Sequence, residues 1–369
     1  MPKTTETVLE IDLTALGKNY HYLKSRIKDT TKLLGVVKAF AYGSDAVIIA
    51  KELEALGVDY LAVAYVNEGV ILRDVGIKTP ILVLHPQPEN FETLIDRCLE
   101  PSLYNESVLK QFIKIASEKK QLNYPVHLKF NTGLNRLGFN ETEVDKIVSE
   151  LNATSNIKVT SLFSHLAASE DLKEKCFSES QISTFRNIAK NISSKLSYQP
   201  KLHMSNTSGI LNYPEAQFDM VRSGIGLYGF SNIPEEQKNF IPIATLKSVI
   251  SQIHTIKKGD SVGYNRAFKS KGTIVTATIP IGHADGISRA YGNGKGWVMV
   301  QGIKAPIIGN VCMDMMMVNI TGIVCKEGDE VIVFGGNNKA DLLAESIESI
   351  SYELLTAISQ RVKREVCRK

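Results

Sequence analysis

Residues 32–39 read KLLGVVKA, a short apolar run that contains two adjacent valines and ends beside Lys38. Seven more runs of this kind follow, and their apolar residues are nearly continuous rather than alternating, which is typical of strands buried on both faces. In chain order they are DYLAVAYV, TPILVLH, LEPSLYN, PVHLKFN, VTSLFSHLA, KLHMS and FDMVRSG. The pattern predicts eight parallel strands.

Longer amphipathic segments separate most of these runs, and their apolar residues recur at intervals of three and four, as on one face of a helix. Clear examples are VNEGVILRDVG, SVLKQFIKIASEKKQ, ETEVDKIVSELNA and ESQISTFRNIAKNISSKL. Buried strands that alternate with helices predict an α/β fold, and eight such units predict a (β/α)8 TIM barrel over residues 11–240.

The pattern changes after Phe240, where strand-like runs follow one another at short intervals and are separated by Gly and Asp. It predicts a mainly antiparallel β domain over residues 241–369, whose closing stretch, residues 342–366, returns to helical spacing. The strand-like TVLEIDL lies before the barrel pattern. We expect a strand within residues 1–10 to pair with the C-terminal domain.

Composition limits the classes of partner. The 43 basic and 39 acidic residues are interspersed, so there is no basic stripe for nucleic acid. No stretch approaches the ~18 continuous apolar residues of a membrane span, and the amino end lacks a signal-peptide core. Five widely spaced cysteines form neither a disulfide framework nor a metal-binding pattern. We therefore expect a cytoplasmic protein without a metal.

Lys38 follows the first strand, at the end of a barrel where catalytic groups gather. Apolar surroundings disfavour the ammonium form, so the pKa of such a lysine falls and its free amine can attack a carbonyl to form a Schiff base. A lysine that extends to solvent at a strand end is the structural alternative. Lys38 alone does not decide between the two.

Further polar residues are predicted at the same end of the barrel. RSGIGLYG, residues 222–229, follows the last strand, where barrel enzymes commonly bind phosphate, although glycines also serve tight turns. Arg222 needs an acceptor if it is buried. Other strand ends carry His165, His203, Asn206, Thr207, Lys129 and Arg136. Several polar groups at one barrel mouth indicate a site, and two neighbouring cations need an anion between them.

The second domain contributes two segments of interest. GYNRAF surrounds Tyr264, and GNVCMDMMM includes Cys312, Met313 and Asp314. Cys312 could be a nucleophile, but no neighbour in the sequence lowers its pKa, so we interpret it as a buried structural thiol. A tyrosine in a β domain is most often a half-buried strand residue, so Tyr264 alone is uninformative.

In this order, the segments resemble the motifs of the alanine racemases, which combine an N-terminal (β/α)8 barrel with a C-terminal β domain and use pyridoxal 5′-phosphate. VVKAFAYG resembles the family's cofactor-lysine motif, HMSNTSG and RSGIGLYG resemble its cofactor-binding segments, and VGYNRAF resembles the segment with its second catalytic position. GNVCMD and ISYE complete the series, so the resemblance extends over essentially the whole chain.

The resemblance implies that Lys38 binds the cofactor covalently and acts as the base on the D-alanine side, while Tyr264 acts in the L-alanine to D-alanine direction. Arg222 would bond the pyridine nitrogen, which would stay unprotonated because arginine does not readily give up a proton. The remaining implied cofactor contacts are Tyr42, Thr207, Gly224, Ile225 and Tyr352 at the phosphate, with His165 and Asn206 along the pocket.

The resemblance also covers the substrate and the assembly. Arg136 and the Met313 segment would meet the substrate carboxylate, and Lys129 matches a position that relatives carry as a carbamate. In the family, two subunits join head to tail. Tyr264 would therefore reach the barrel of the other subunit, and we expect a homodimer.

Several positions depart from the family pattern. Ser44 and Asp45 follow AYG, where His-Gly is usual in the family. The resemblance also implies three residues at the substrate entrance: Glu170, His283 and Arg289. Glu170 stands where an aspartate is common, and His283 stands where a tyrosine is usual. We expect these differences to affect access and turnover rather than the type of reaction.

We therefore expect an enzyme of this family that supplies D-alanine for peptidoglycan. Three alternatives stay open: a racemase for serine or lysine, a two-domain amino-acid decarboxylase, and a pyridoxal-phosphate carrier without catalysis. VGYNRAF with GNVCMD argues against the decarboxylase, and the additional β domain argues against the carrier.

Overall fold

A computed structural model describes residues 6–369, so the first five residues of the predicted N-terminal segment lie outside the described part of the chain. The chain divides into two compact units. The barrel unit comprises residues 17–41 and 46–240. The sheet unit comprises the residues up to 16, together with residues 42–45 and 241–369, and its first strand is β1 (Val8–Asp12).

The barrel unit contains eight parallel strands that close into a ring, which confirms the predicted (β/α)8 fold. Most of their residues are buried, as the continuous apolar runs predict, and the exceptions lie mainly in β7 and β8. The ring closes between its first and last strands, where Leu34 is the register partner of Arg222. The strands are β2 (Lys32–Val36), β3 (Tyr60–Val63), β4 (Ile81–Val83), β5 (Glu100–Leu103), β6 (Tyr124–Lys129), β7 (Ile157–Phe163), β8 (Lys201–His203) and β9 (Met220–Ser223).

Amphipathic helices connect these strands. The helix Glu106–Glu118 is representative: the Asn105 side chain accepts the Val108 N–H at 2.8 Å, and one face of the helix is buried. The Asn105 cap satisfies a donor that the first helical turn leaves open. The helices up to residue 240 are Leu13–Ser25, Ala46–Ala55, Val66–Asp74, Phe91–Asp96, Glu106–Glu118, Val144–Asn152, Lys175–Ser193 and Thr207–Asn212.

The sheet unit is built on a nine-stranded sheet in the order β11-β14-β17-β16-β15-β18-β10-β1-β19, beside a two-stranded β12-β13 ribbon. All neighbours in the large sheet are antiparallel except β1 and β19, which are parallel. This confirms the predicted mainly antiparallel domain. Its strands after β1 are β10 (Ala244–Val249), β11 (Gln252–Ile256), β12 (Ser261–Val262), β13 (Phe268–Lys269), β14 (Ile274–Ile279), β15 (Trp297–Val300), β16 (Ile303–Ile308), β17 (Met316–Asn319), β18 (Glu330–Phe334) and β19 (Lys363–Cys367).

The closing stretch of the chain differs from its predicted helical spacing. Helices cover only Ala340–Glu345 and Ser351–Thr356, whereas β19 forms a strand that pairs with β1 from Val8↔Lys363 onward. Pairing with a distant strand overrides the local pattern here. None of the helices in residues 6–369 combines the length and the hydropathy needed to span a bilayer.

Candidate active site

Lys38 begins a left-handed turn at the carboxyl end of β2. The predicted strand, residues 32–39, ends instead at Val36, and the four residues 39–42 have φ between +52° and +54°. Left-handed backbone costs L-residues about 1–2 kcal/mol each, so four non-glycine residues in a row concentrate strain at one point. Such strain persists only where surrounding contacts fix the backbone, and it is common at functional sites.

Glu68 supplies one of these contacts. Its Oε1 accepts the Ala39 N–H at 2.6 Å, while its Oε2 accepts the N–H groups of Ala64 and Tyr65 at 2.7 and 3.0 Å. One carboxylate therefore links the left-handed turn to the start of the helix Val66–Asp74. Burial, followed by the charge of Arg136, lowers the pKa of Lys38, and Glu68 opposes this change.

Lys129 lies at the end of β6 among positive charges. Its side chain is 5% exposed, and its ammonium group lies 5.8 Å from the centroid of the Phe163 ring. Burial, together with the charges of Arg136, Arg222 and Lys38, lowers the pKa of Lys129 to about 8. Arg136 itself is exposed. The cations that the sequence predicted near one another thus do influence one another.

Arg222 is buried and donates four hydrogen bonds. One Nη group donates to Nδ1 of His203 at 2.7 Å, and the other donates to Nδ1 of His165 at 2.9 Å and to the carbonyl oxygens of Ser164 and Met204 at 2.7 and 3.0 Å. Burial lowers the pKa of Arg222 to about 9, so it remains charged at neutral pH. Burial and the charge of Arg222, in that order, lower the pKa of His165 well below its usual value.

The RSGIGLYG segment forms consecutive tight turns after β9. The N–H groups of Leu227 and Tyr228 donate to the carbonyl oxygens of Gly224 and Ile225 at 2.9 and 3.1 Å. The Gly226 N–H donates to Oγ1 of Thr207 at 3.3 Å, and a Cβ on Gly226 would lie 2.7 Å from Thr207 Cγ2. Glycine is therefore required where the turn approaches the threonine.

Asn206 precedes the short helix Thr207–Asn212 and caps it. Its Oδ1 accepts the Gly209 N–H and the Ser169 hydroxyl, both at 2.8 Å. The neighbouring Glu170 is exposed and lies within hydrogen-bond distance of the same serine hydroxyl, at 3.3 Å.

Tyr264 of the sheet unit is highly exposed, at 75%. It begins the short 3-10 turn Tyr264–Arg266 after β12, and its carbonyl oxygen accepts the Asn310 side-chain amide at 3.3 Å. An open cavity of about 580 Å³ adjoins it. The cavity is lined by Gln252, Gly263, Tyr264, Thr278, Cys312, Met313, Asp314, Met315 and Met317. Cys312 is partly exposed, so the expectation of a buried thiol is wrong.

Backbone hydrogen bonds join the segment of the predicted entrance residue His283 to that of the predicted carboxylate contact Met313. The N–H of His283 donates to the Cys312 carbonyl at 2.9 Å, and the N–H of Ala284 donates to that of Met313 at 3.0 Å. His283 and Met313 are both exposed. Arg289 is also exposed, in the 3-10 turn Arg289–Tyr291.

Tyr42 and Tyr352 are neighbours within the sheet unit, with ring centroids 5.9 Å apart. Burial raises the pKa of Tyr42, and Tyr352 adds to the effect. Arg364 fixes the segment that follows Tyr42 because it donates to the carbonyl oxygens of Gly43 and Ser44 at 2.9 and 3.0 Å. It also donates to the carbonyl oxygens of Ile358, Ser359 and Val362.

Two protein-family profiles together match nearly the whole chain. The profile described as alanine racemase, N-terminal domain, matches residues 11–232, and the profile for the C-terminal domain matches residues 243–366. The chain belongs to the alanine racemase family. This confirms the resemblance seen in the motifs. The alanine racemase of Halothermothrix orenii is 35% identical over 370 aligned residues, which cover 98% of this chain and 97% of the relative.

Solved structures of alanine racemases share the fold over nearly the full length. The enzyme of Clostridium difficile 630 superposes with a TM-score of 0.93 at 32% identity, covering 99% of this chain and 97% of the other. The enzyme of Bartonella henselae, solved with covalently bound pyridoxal phosphate, gives 0.89 at 27% identity and covers 99% of this chain and 100% of the other. Both units of the chain therefore have their counterparts in the family.

Three residues that fix the backbone around the candidate residues were not predicted. Glu68, Gly226 and Arg364 each fix backbone near a candidate residue. For Gly226 a signal existed, because it lies inside the glycine-rich segment. For Glu68 and Arg364 no signal existed, because a charged residue that bonds to backbone elsewhere in the fold looks like any solvated charge in the sequence.

Proposed function

We propose that the protein is an alanine racemase that interconverts L-alanine and D-alanine with pyridoxal 5′-phosphate bound to Lys38. The family assignment supports the reaction, and the Bartonella henselae structure supports the cofactor. One observation carries the proposal for the barrel: the buried guanidinium of Arg222 in the last strand donates to Nδ1 of His165 at 2.9 Å, and Lys38, Lys129 and Arg136 lie near enough for their charges to lower the pKa of the same imidazole. Several basic side chains are thus gathered near the carboxyl ends of the strands, as binding a phosphorylated cofactor and a carboxylate substrate requires.

Features of the barrel unit fit this cofactor. All four hydrogen bonds that Arg222 makes within the described chain come from its two Nη groups, so its Nε–H remains as a donor for a ring nitrogen. The lowered pKa of Lys38 favours the free amine, the form of the side chain that would bind the carbonyl group of the cofactor. The backbone of the RSGIGLYG turns and the Thr207 hydroxyl offer donors for the phosphate, and Gly226 is required for their close approach.

We assign the remaining cofactor and substrate contacts as the resemblance implies. Gly224, Ile225 and Thr207 of the barrel unit, with Tyr42 and Tyr352 of the sheet unit, would bind the phosphate. His165 and Asn206 would line the pocket. Arg136 and Met313 would meet the substrate carboxylate, and Glu170, His283 and Arg289 would line the entrance. When bound, the cofactor supplies an electron sink for the substrate Cα as its proton leaves.

Racemisation requires removal of a proton from one face of Cα and delivery of a proton to the other, which two bases accomplish better than one. We assign Lys38 Nζ to one face, since its lowered pKa makes the free amine available. We assign the Tyr264 hydroxyl to the other face. Its exposure supports a phenol that acts on a second copy of the chain in a homodimer.

The test is proton exchange in D2O. Purified protein saturated with pyridoxal phosphate receives L-alanine, L-serine or L-lysine, and Cα–H loss is followed by NMR while D-product is measured by chiral chromatography. D-alanine should form fastest. In Tyr264→Phe, D-alanine formation should fall at least about 100-fold, because removing a general base costs 10²–10⁴. The absorbance of bound cofactor serves as the control for an intact site in the variant.

Other outcomes would change the proposal in defined ways. Faster turnover of serine or lysine would assign the same mechanism to another amino acid. Bound cofactor without any exchange would contradict catalysis and leave a carrier. We further propose that the enzyme is cytoplasmic and supplies D-alanine for peptidoglycan. That role predicts that cells lacking the protein resume peptidoglycan synthesis when D-alanine is added to the medium.

A further inference from the structure

A continuous chain of hydrogen-bonded side chains runs through the interior of the barrel and ends at Arg222. Glu100 begins β5, and its Oε2 lies 2.7 Å from Nε2 of His127 on β6. Nδ1 of His127 lies 2.6 Å from the Ser161 hydroxyl on β7, which lies 2.8 Å from Nε2 of His203 on β8. Nδ1 of His203 accepts the Arg222 hydrogen bond at 2.7 Å. The chain thus crosses five neighbouring strands.

The direction of every hydrogen bond in this chain follows from Arg222. A guanidinium has only donors, so Nδ1 of His203 must accept and its proton must reside on Nε2. Nε2–H of His203 then donates to the Ser161 oxygen, whose own proton has Nδ1 of His127 as its acceptor. Nε2–H of His127 in turn donates to the Glu100 carboxylate, which can only accept. With both histidines neutral, the two ends fix one polarity for the whole series of hydrogen bonds.

Because the linking side chains are buried, reversing this polarity would cost free energy. The side chains of His127, Ser161 and His203 are fully buried, so a reversed or broken link would leave a donor or acceptor without water as a substitute. Within residues 6–369, Arg222 bonds directly to imidazole nitrogens and carbonyl oxygens only. The Glu100 carboxylate is therefore the anion to which the buried Arg222 guanidinium is connected through the series of hydrogen bonds.

We propose that Glu100, His127, Ser161 and His203 form a relay of positioning residues that fixes the guanidinium of Arg222, with every proton of the chain directed toward the Glu100 carboxylate. The same logic extends to His165, whose Nδ1 also accepts from Arg222, so that its Nε2–H is left to donate. The tautomers follow from the geometry alone. The effect on turnover rests on the proposed function.

The tautomers are tested by NMR of holoenzyme labelled with ¹⁵N-histidine at pH 7. Of the seven histidines, the signals of His127 and His203 are assigned by their loss in His127→Gln and His203→Gln. Both residues should be neutral Nε2–H tautomers. An Nδ1–H tautomer at His203, or an imidazolium at His127, would overturn the relay. This readout is independent of whether the protein racemises alanine.

The positioning role is tested by three serine variants. Ser161→Ala removes the central hydroxyl and should lower kcat about tenfold or more, with KM for L-alanine changed less than about threefold, because a misplaced contact to the reacting system acts on the chemical step. Ser161→Thr keeps the hydroxyl and should restore kcat. Ser102→Ala is the matched control, since Ser102 is an equally buried barrel serine whose hydroxyl has no hydrogen-bond partner in the described part of the chain.

A Ser161→Ala enzyme with kcat within twofold of the parent would overturn the positioning role. If Ser161→Ala does not fold, variants of Glu100, at the other end of the hydrogen-bonded series, test the positioning role instead. Glu100→Gln presents an amide oxygen to His127 and should keep both tautomers and kcat. Glu100→Leu has no acceptor, so the tautomers should no longer be fixed and kcat should fall. Equal kcat in these two variants would contradict the proposal. If the parent protein racemises no amino acid at all, the proposed function fails while the tautomer result stands.

Discussion

Lys129 shows how a single residue acquires its chemistry from its surroundings. Burial and three neighbouring cations bring the pKa of its amine to about 8, more than two units below that of an exposed lysine. The Lys129 amine is therefore almost entirely protonated at pH 6.5 and mostly in its free form at pH 9. Only the free amine reacts with CO2, so a carbamate at this position is linked to pH through that pKa.

We predict a carbamate on Lys129 whose formation becomes faster as the pH rises through about 8. Protein equilibrated with ¹³C-bicarbonate should show a carbamate carbon signal in the ¹³C NMR spectrum that builds up more slowly at pH 6.5 than at pH 9. Lys129→Arg keeps the positive charge but has no primary amine, so the signal should be absent. A signal that persists in Lys129→Arg would assign the carbamate elsewhere.

Some residues of the candidate site could be predicted from the sequence, and others could not. Lys38, Arg222 and His165 could be singled out because each follows a recognisable buried strand, and the barrel gathers strand ends at one side. Glu100 and Ser161 could not. Their importance depends on which side chains face one another across neighbouring strands, and that register is a property of the folded barrel.

At the scale of elements, the left-handed turn and the segment after it are the most constrained part of the backbone. Gly43 has a φ of +79°, and a Cβ there would overlap the carbonyl oxygen of Leu355. Arg364 donates to the Gly43 carbonyl oxygen at 2.9 Å. Gly43 thus meets two separate requirements: a conformation that other residues avoid and a close approach of two backbones.

We predict that Gly43→Ala destabilises the sheet unit by about 3 kcal/mol or more, because it adds a backbone overlap to a cost of about 1 kcal/mol for the positive φ. Trp297 in β15 is the one tryptophan of the chain, so its fluorescence during urea unfolding reports on this unit.

Two glycines of the same unit separate the two contributions. Gly322 has a φ of +82°, and the position that a Cβ would take there has nothing within 4 Å, so Gly322→Ala should cost only about 1 kcal/mol. Gly272 has open space and no positive φ, so Gly272→Ala should change stability by less than about 0.5 kcal/mol. Equal losses in Gly43→Ala and Gly322→Ala would show that the overlap relaxes at no cost.

Element types were predictable to different degrees for physical reasons. The eight barrel strands were visible because continuous burial demands continuous apolar residues. The turn at residues 39–42 gave no signal, since it contains none of the glycine or asparagine that normally marks positive φ. Strand β19 was mistaken for the end of a helix because its conformation depends on pairing with β1, more than 350 residues earlier in the chain.

At the scale of the whole molecule, β1 lies inside the large sheet between β10 and β19. Its Glu10 is buried and accepts from Lys247 and Lys369, at 2.8 Å each, so that three distant segments of the chain meet at one carboxylate. Burial alone would raise the pKa of Glu10, but the hydrogen bonds and charges of the two lysines outweigh it and lower the pKa below the usual value.

We predict that Glu10→Gln weakens the sheet unit at pH 7 and that this loss of stability becomes smaller as the solution is made acidic. Because the folded-state pKa of Glu10 lies below its unfolded value, the stabilisation is complete above the unfolded pKa and disappears as the pH falls through the folded one. Urea unfolding followed by Trp297 fluorescence at several pH values measures this. Glu345→Gln, at an exposed carboxylate of the same unit, should leave the profile unchanged. A constant difference between parent and Glu10→Gln down to pH 3 would contradict the ion-pair origin.

The position of β1 has a consequence for the order in which the protein is synthesised. β10 begins 232 residues after β1 ends (244 − 12), so at ribosomal speeds of about 5–20 residues per second the first strand waits on the order of ten to fifty seconds for a neighbour. During that time the whole barrel is translated, while both edges of β1 remain open to unwanted pairing. A nascent chain of this protein is therefore most exposed to aggregation at its first strand, and slowing translation before β10 should increase the demand for chaperones.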